Sequence, residues 1–153
     1  MDLSKNFIQD LPDVFFSNLP SLHLLNLSSN KLLCLPPTIR KAKKLQRLLL
    51  SSNFLDSLPP DLGDLPSLLD LDVSDNRLTF LPDTLGSLPK LESLNLSHNY
   101  LRFIPAELDQ VQSLRVLSID SNHILSIPCS ISKLEKINAF SLDWLKYTLF
   151  NRA

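Results

Sequence analysis

A single spacing constrains this chain more than anything else in it. Asn6, Asn30, Asn53, Asn76, Asn99 and Asn122 are separated by one step of 24 residues and then four of 23. Pro12, Pro36, Pro59, Pro82, Pro105 and Pro128 follow the same steps. Leu22, Leu45, Leu68, Leu91 and Leu114 share the step of 23, and Ile137 continues it. Three residue types on one period describe an array of structural repeats, each too small to bury its own apolar face.

Within a unit the pattern changes partway. Leu94 and Leu96 alternate with polar residues, the period-two signature of a short half-buried strand. Proline then follows an aliphatic residue, as Pro82 follows Leu81, and removes the ladder donor that a continuing strand would need. The chain is therefore expected to return along the other side as an extended or short helical segment. Leucines such as Leu85 and Leu88 on that segment face inward again. Stacking buries both sets, aligns the strands in parallel about 4.8 Å apart, and gains roughly 1.5–3 kcal/mol per buried leucine. The repeated asparagine has a separate task. It stands where the chain leaves the strand, and its side-chain amide carries both donors and an acceptor for backbone groups there. An asparagine ladder over Asn30, Asn53, Asn76, Asn99 and Asn122 is the expected result.

Written out, a unit reads Leu-x-x-Leu-x-Leu-x-x-Asn-x-Leu-x-x-Leu-Pro-x-x-Leu-x-x-Leu-x-x, most fully over residues 68–90. This closely resembles the leucine-rich repeat. The resemblance implies an α/β solenoid, a horseshoe with parallel strands on its concave side and irregular or short-helical convex segments. The stretches 58–65 and 81–88, Leu-Pro-x-x-Leu-Gly-x-Leu, are similar to the intracellular repeats of Ras-pathway and cell-polarity scaffolds and of plant intracellular Ras-group proteins. Gly63 and Gly86 fit that form, whereas Arg40, Asp109 and Ser132 depart from it at the same position.

The expected organisation is one domain over residues 1–153: a partial repeat 1–21, full repeats 22–44, 45–67, 68–90, 91–113 and 114–136, and a degenerate repeat and cap 137–153. The chain starts in mid-repeat, so it reads as a piece of a longer array or protein. In the last unit Leu142, Leu145 and Leu149 have helical spacing beside Trp144, Tyr147 and Phe150, as a C-terminal cap would.

On such an array the residues between the buried leucines form rows facing the concave side. Asp70, Asp72 and Asp75 put three carboxylates of one repeat there, with Leu49 adjacent. Beyond each repeated asparagine runs a rim row: Phe7, Lys31, Phe54, Arg77, Tyr100 and His123. Aromatic groups beside charge are what protein interfaces favour. The candidate binding centre is thus Arg47, Leu49, Phe54, Asp70, Asp72, Asp75, Asn95, His98 and Tyr100, on the third to fifth repeats, facing a basic or mixed-charge protein surface. Ordinary solvated charge is the competing reading.

Other chemistry is thinly represented. The chain is 44% hydrophobic and 20% charged with formal net charge −1, which argues against a disordered tail and against general nucleic-acid binding. No apolar run is long enough to span a membrane, and Met1-Asp2 opens a polar stretch unlike a signal peptide. Cys34 and Cys129 match no metal or redox spacing. His98 and His123, with Asp75 and Asp120 on neighbouring rows, could be drawn as a metal site or triad but lack a dry pocket. Arg40, Lys41, Lys43, Lys44 and Arg47 form a basic cluster, read first as a solvated face and second as a phosphate or anionic-membrane patch. Asn26-Leu-Ser28 and Asn95-Leu-Ser97 are formal glycosylation acceptors on the concave strands.

The expectation is a non-enzymatic, monomeric, cytoplasmic protein-binding module without cofactor or metal. Its resemblance implies a signalling scaffold whose partner is a small GTPase or a regulator of one. The alternatives are the recognition segment of a larger kinase, phosphatase or ubiquitin ligase, or an extracellular receptor ectodomain.

Overall fold

In the computed structural model, which describes residues 1–142, each leucine-rich segment contributes one three-residue strand. Among the described residues these are β1 (Leu24–Asn26), β2 (Arg47–Leu49), β3 (Asp70–Asp72), β4 (Ser93–Asn95), β5 (Val116–Ser118) and β6 (Ala139–Ser141). They pair in parallel in chain order, with residues one repeat apart directly opposite, as in Arg47↔Asp70 and Leu71↔Leu94. The partial N-terminal unit adds only the isolated parallel bridge Asp2↔Asn26. The expected C-terminal cap at Trp144, Leu145, Tyr147, Leu149 and Phe150 lies outside the described residues.

The return segments are 3₁₀ helices of five residues at Pro37–Lys41, Pro60–Asp64, Asp83–Ser87, Ala106–Gln110 and Cys129–Lys133, with a three-residue one at Phe16–Asn18. Each five-residue helix is preceded by a repeat proline with φ between −61 and −70°, the angle its ring imposes. The strand leucines Leu48, Leu71 and Leu94 and the return-side leucines Leu62, Leu85 and Leu108 are all fully buried, in one continuous core.

The asparagine column ties coil to coil. Asn76 Nδ2 donates to the carbonyl of Val73 in its own coil at 3.1 Å and to that of Leu50 in the preceding coil at 3.0 Å. Its Oδ1 accepts from the amide of Leu55, also of the preceding coil, at 3.0 Å. Asn30, Asn53, Asn99 and Asn122 repeat this set against Leu3, Leu27, Val73 and Leu96. Asn76 Nδ2 also donates to the Ser74 carbonyl at 3.0 Å, so one side chain serves four backbone groups where the strand ends. Asn6 bonds only within its own coil, to Leu3 and Ser4.

The residue before each asparagine turns the chain. Lys5, Ser29, Ser52, Asp75, His98 and Ser121 all have φ of 52–56°, a left-handed bend taken without glycine. The two glycines serve close packing instead. A Cβ on Gly63 would run into the carbonyl oxygen of Thr84, and one on Gly86 into that of Glu107, both on the following coil. At the equivalent sites Arg40 and Asp109 carry side chains that reach a neighbouring coil, pairing with Asp61 at 3.1 Å and Lys133 at 2.9 Å.

Replacing Asn76 by Ala strands a buried amide and takes a donor from three carbonyls, and should cost about 1–3 kcal/mol in urea unfolding. Asn6→Ala, which breaks only exposed bonds within one coil, should cost well under half of that. Equal effects would dissociate the column from coil stacking. Gly86→Ala forces neighbouring backbone apart and should destabilise by about 1–3 kcal/mol. Asp109→Ala, one repeat on, forces no backbone apart and loses one ion pair to an exposed lysine, so it should stay within about 1 kcal/mol by thermal melting.

Candidate protein-binding face

Parallel register makes a row of every repeat position, so the strand face can be read as columns of side chains one coil apart. Arg47 and Asp70 stand opposite one another on β2 and β3, and the guanidinium Nε meets the carboxylate at 3.1 Å. Leu49, Asp72 and Asn95 occupy the next column on β2, β3 and β4, all half-buried.

The three carboxylates of the third full repeat prove to have different duties. Asp70 is already ion-paired. Asp72 Oδ1 accepts from the amide of Ser74 at 3.0 Å and from its hydroxyl at 2.7 Å, closing the turn that leaves β3. Asn26 and Asn95 do the same for Ser28 and Ser97 at 3.0 and 3.1 Å. Asp2 does so for Ser4, whose amide holds the Asp2 carboxyl below the usual carboxylate range. Asp72 is therefore engaged in turn geometry. Asp75, exposed on its left-handed turn, is the carboxylate left facing solvent. The same geometry bears on the two glycosylation acceptors, since Asn26 and Asn95 each commit their side-chain oxygen to the turn and are half-buried.

The rim row is brought together pairwise. The Lys31 ammonium lies 4.8 Å from the Phe7 ring centroid and the Arg77 guanidinium 4.5 Å from that of Phe54. The rings of Tyr100 and His123 are 5.8 Å apart. Of these, Phe54 and Tyr100 belong to the candidate binding centre read from the sequence, whereas Arg77, Lys31, Phe7 and His123 stand in the rim row outside it. Alternation of aromatic and basic residues, over one step of 24 and four of 23, is the signal in the sequence. Phe80 and Phe103, outside the candidate centre, are also exposed. They share one repeat position on adjacent coils, three residues beyond the rim row.

The basic cluster is largely engaged by neighbouring coils. Arg40 pairs with Asp61 and Arg47 with Asp70, Lys43 Nζ donates to the Asp64 carbonyl at 3.0 Å, and Lys41 Nζ donates to the Ser17 hydroxyl at 3.0 Å. Lys44 is exposed. His98 and His123 are both exposed, and no group of three metal-ligating side chains occurs among the described residues. No helix among them is long and apolar enough to cross a membrane.

A sequence model of the family described as leucine rich repeat matches residues 1–55, 43–101 and 82–124. A search of curated proteins finds no match. Among solved structures the chain is similar to a Leptospira interrogans LRR protein, at 32% identity and a TM-score of 0.72, over 90% of this chain and 41% of that one. It is similar to the Arabidopsis receptor kinase HAESA, solved with the peptide hormone IDA and the co-receptor SERK1, at 35% identity and 0.80, over 93% and 25%. It also resembles the plant peptide hormone receptor RGFR1, solved with RGF2, at 35% identity and 0.77, over 88% and 22%. The chain spans less than half the length of each of these proteins. Domains of this kind are, as a class, protein-interaction modules that do no chemistry of their own. With its 23-residue units, its parallel strand column and its asparagine ladder, the chain belongs to the leucine-rich repeat family.

Proposed function

We propose that the chain is the protein-binding part of an intracellular scaffold or adaptor, holding its partner on the strand face of the third to fifth repeats. The observation carrying this reading is the composition of that face. Half-buried Leu49 and Asn95 sit beside solvent-facing Asp75, with Phe54 and Tyr100 at the edge, on backbone fixed by parallel pairing. Apolar area ringed by polar groups suits a partner of basic or mixed charge. Arg47, Asp70 and Asp72 contribute a charged floor whose groups are already paired within the protein, and His98 extends the turn row beside Asp75.

Cys34 and Cys129 are exposed and unpaired, which suits a reducing, cytoplasmic setting. A small GTPase or one of its regulators as partner, and a monomeric state, rest on family analogy. The same module attached to a kinase, phosphatase or ubiquitin ligase would bind by the same face. Similarity to receptors solved with peptide hormones favours a second reading, an extracellular ectodomain. Glycan mass on chain secreted from eukaryotic cells would support that second reading, and its absence would remove it.

The test is affinity capture from native lysate with wild type and two variants, Asp75→Lys and Leu49→Gln. Both should lose at least about 80% of the captured partner, since central contacts carry most interface energy. Lys44→Gln, an exposed turn residue outside the strand, should retain it. Capture unchanged in Asp75→Lys and Leu49→Gln would place the interface elsewhere.

A further inference from the structure

The rim row carries a spacing of its own. Aromatic and nitrogen-bearing side chains alternate along it, so its basic groups recur every second coil: Lys31, Arg77 and His123. Between them lie Phe54 and Tyr100, with Phe7 at the start, and the exposures of Phe7 and Tyr100 are 79% and 53%. Backbone bonds hold the row in register. The amides of Lys31, Phe54, Arg77, Tyr100 and His123 donate to carbonyls of the preceding coil at 2.8–2.9 Å. Lys31 and Arg77 are further held over the Phe7 and Phe54 rings. A guanidinium lying on a ring keeps its N–H edge outward, ready for a carboxylate.

Two coils at about 4.8 Å each set these groups about 9.6 Å apart. An extended strand presents one face every second residue, at about 6.6–6.8 Å, and does not match. A polyproline II helix repeats every third residue, at 3.1 Å per residue or about 9.3 Å, and does. We infer that this rim is a docking edge for an acidic, proline-rich segment of a partner in the polyproline II conformation. Carboxylates at every third residue meet Lys31 and Arg77, and a third reaches the His123 ring N–H. The intervening prolines lie on Phe54 and Tyr100, as prolines lie on aromatic grooves elsewhere. The row contains no acid, and the charges on its flanks balance: Lys5 and Arg102 against Asp75 and Asp56. The rim shares Phe54 and Tyr100 with the edge of the strand-face site, whereas Lys31, Arg77 and His123 belong to the rim alone, so a variant at Arg77 reads the rim without touching that site.

The probe is a labelled peptide of four Glu-Pro-Pro repeats, against a peptide of the same composition with its glutamates contiguous. Fluorescence anisotropy should give at least about tenfold tighter binding for the first. Arg77→Gln should weaken it about tenfold, the scale of one charge-assisted hydrogen bond. Lys44→Gln, which removes the same charge away from the row, should change it less than about twofold. Equal affinity for the two peptides, equal losses in the two variants, or no binding would each overturn the proposal. So would preference for a helical peptide with glutamates seven residues apart.

Discussion

Coil-to-coil satisfaction of backbone groups by the asparagine column is the constraint from which the rest follows. A strand of three residues cannot hold itself together, and each coil leaves the strand with amides and carbonyls aimed at the core. Leaving such groups unpaired costs free energy comparable to the hydrogen bond itself. The Asn76 side chain meets Val73 in its own coil and Leu50 and Leu55 in the previous one. That geometry fixes both the turn and the stacking distance. Leucine burial supplies the driving force, but leucine is non-directional, and it does not set the register. The asparagines do. Asn6, with no described coil before its own, keeps its amide within that coil.

How much of this was legible in the sequence follows from what a period can encode. Spacing alone assigned every residue to a row, and the strand register agrees with those rows, Arg47 against Asp70 and Leu49 against Asp72. It located the return segments through the prolines, though only geometry identifies them as 3₁₀. Period does not tell which of several like residues in a row is engaged. Asp72 and Asp75 look equivalent in the sequence. A turn of left-handed backbone at Asp75 and an amide two residues after Asp72 separate them. Cross-coil partners are hidden for a related reason: Arg77 and Phe54 are 23 residues apart, and their approach depends on stacking and on side-chain direction.

Charge shows the same division. Four ion pairs occur among the described residues: Arg40–Asp61, Arg47–Asp70, Arg115–Glu92 and Lys133–Asp109. Every one joins adjacent coils. The basic stretch around Arg40 and the aspartates from Asp56 onward, which in sequence look like two separate surfaces, are the two halves of lateral pairs. Exposed pairs of this kind contribute little each, about 0.2–1 kcal/mol. Their larger consequence is subtraction, because a cation held by its neighbouring coil is no longer free for a phosphate or a membrane. The apparent basic patch thereby shrinks towards Lys44.

A one-dimensional fold separates the positions that make structure from those that make function. Leucine, proline and asparagine positions are fixed by the core, the return turn and the ladder, and a change there is felt by two neighbours. Residues between them are free to vary, yet their backbone is held by the same bonds, so any side chain placed there inherits a rigid spacing. That spacing is about 4.8 Å per coil and cannot be tuned. A recognition row must therefore match its ligand by choosing which coils carry a group. Placing cations at Lys31 and Arg77, with the intervening coil given to Phe54, doubles the interval without altering the scaffold. The resulting interval suits a three-residue helical period better than an extended strand, so selection among peptide conformations can arise from the repeat length itself.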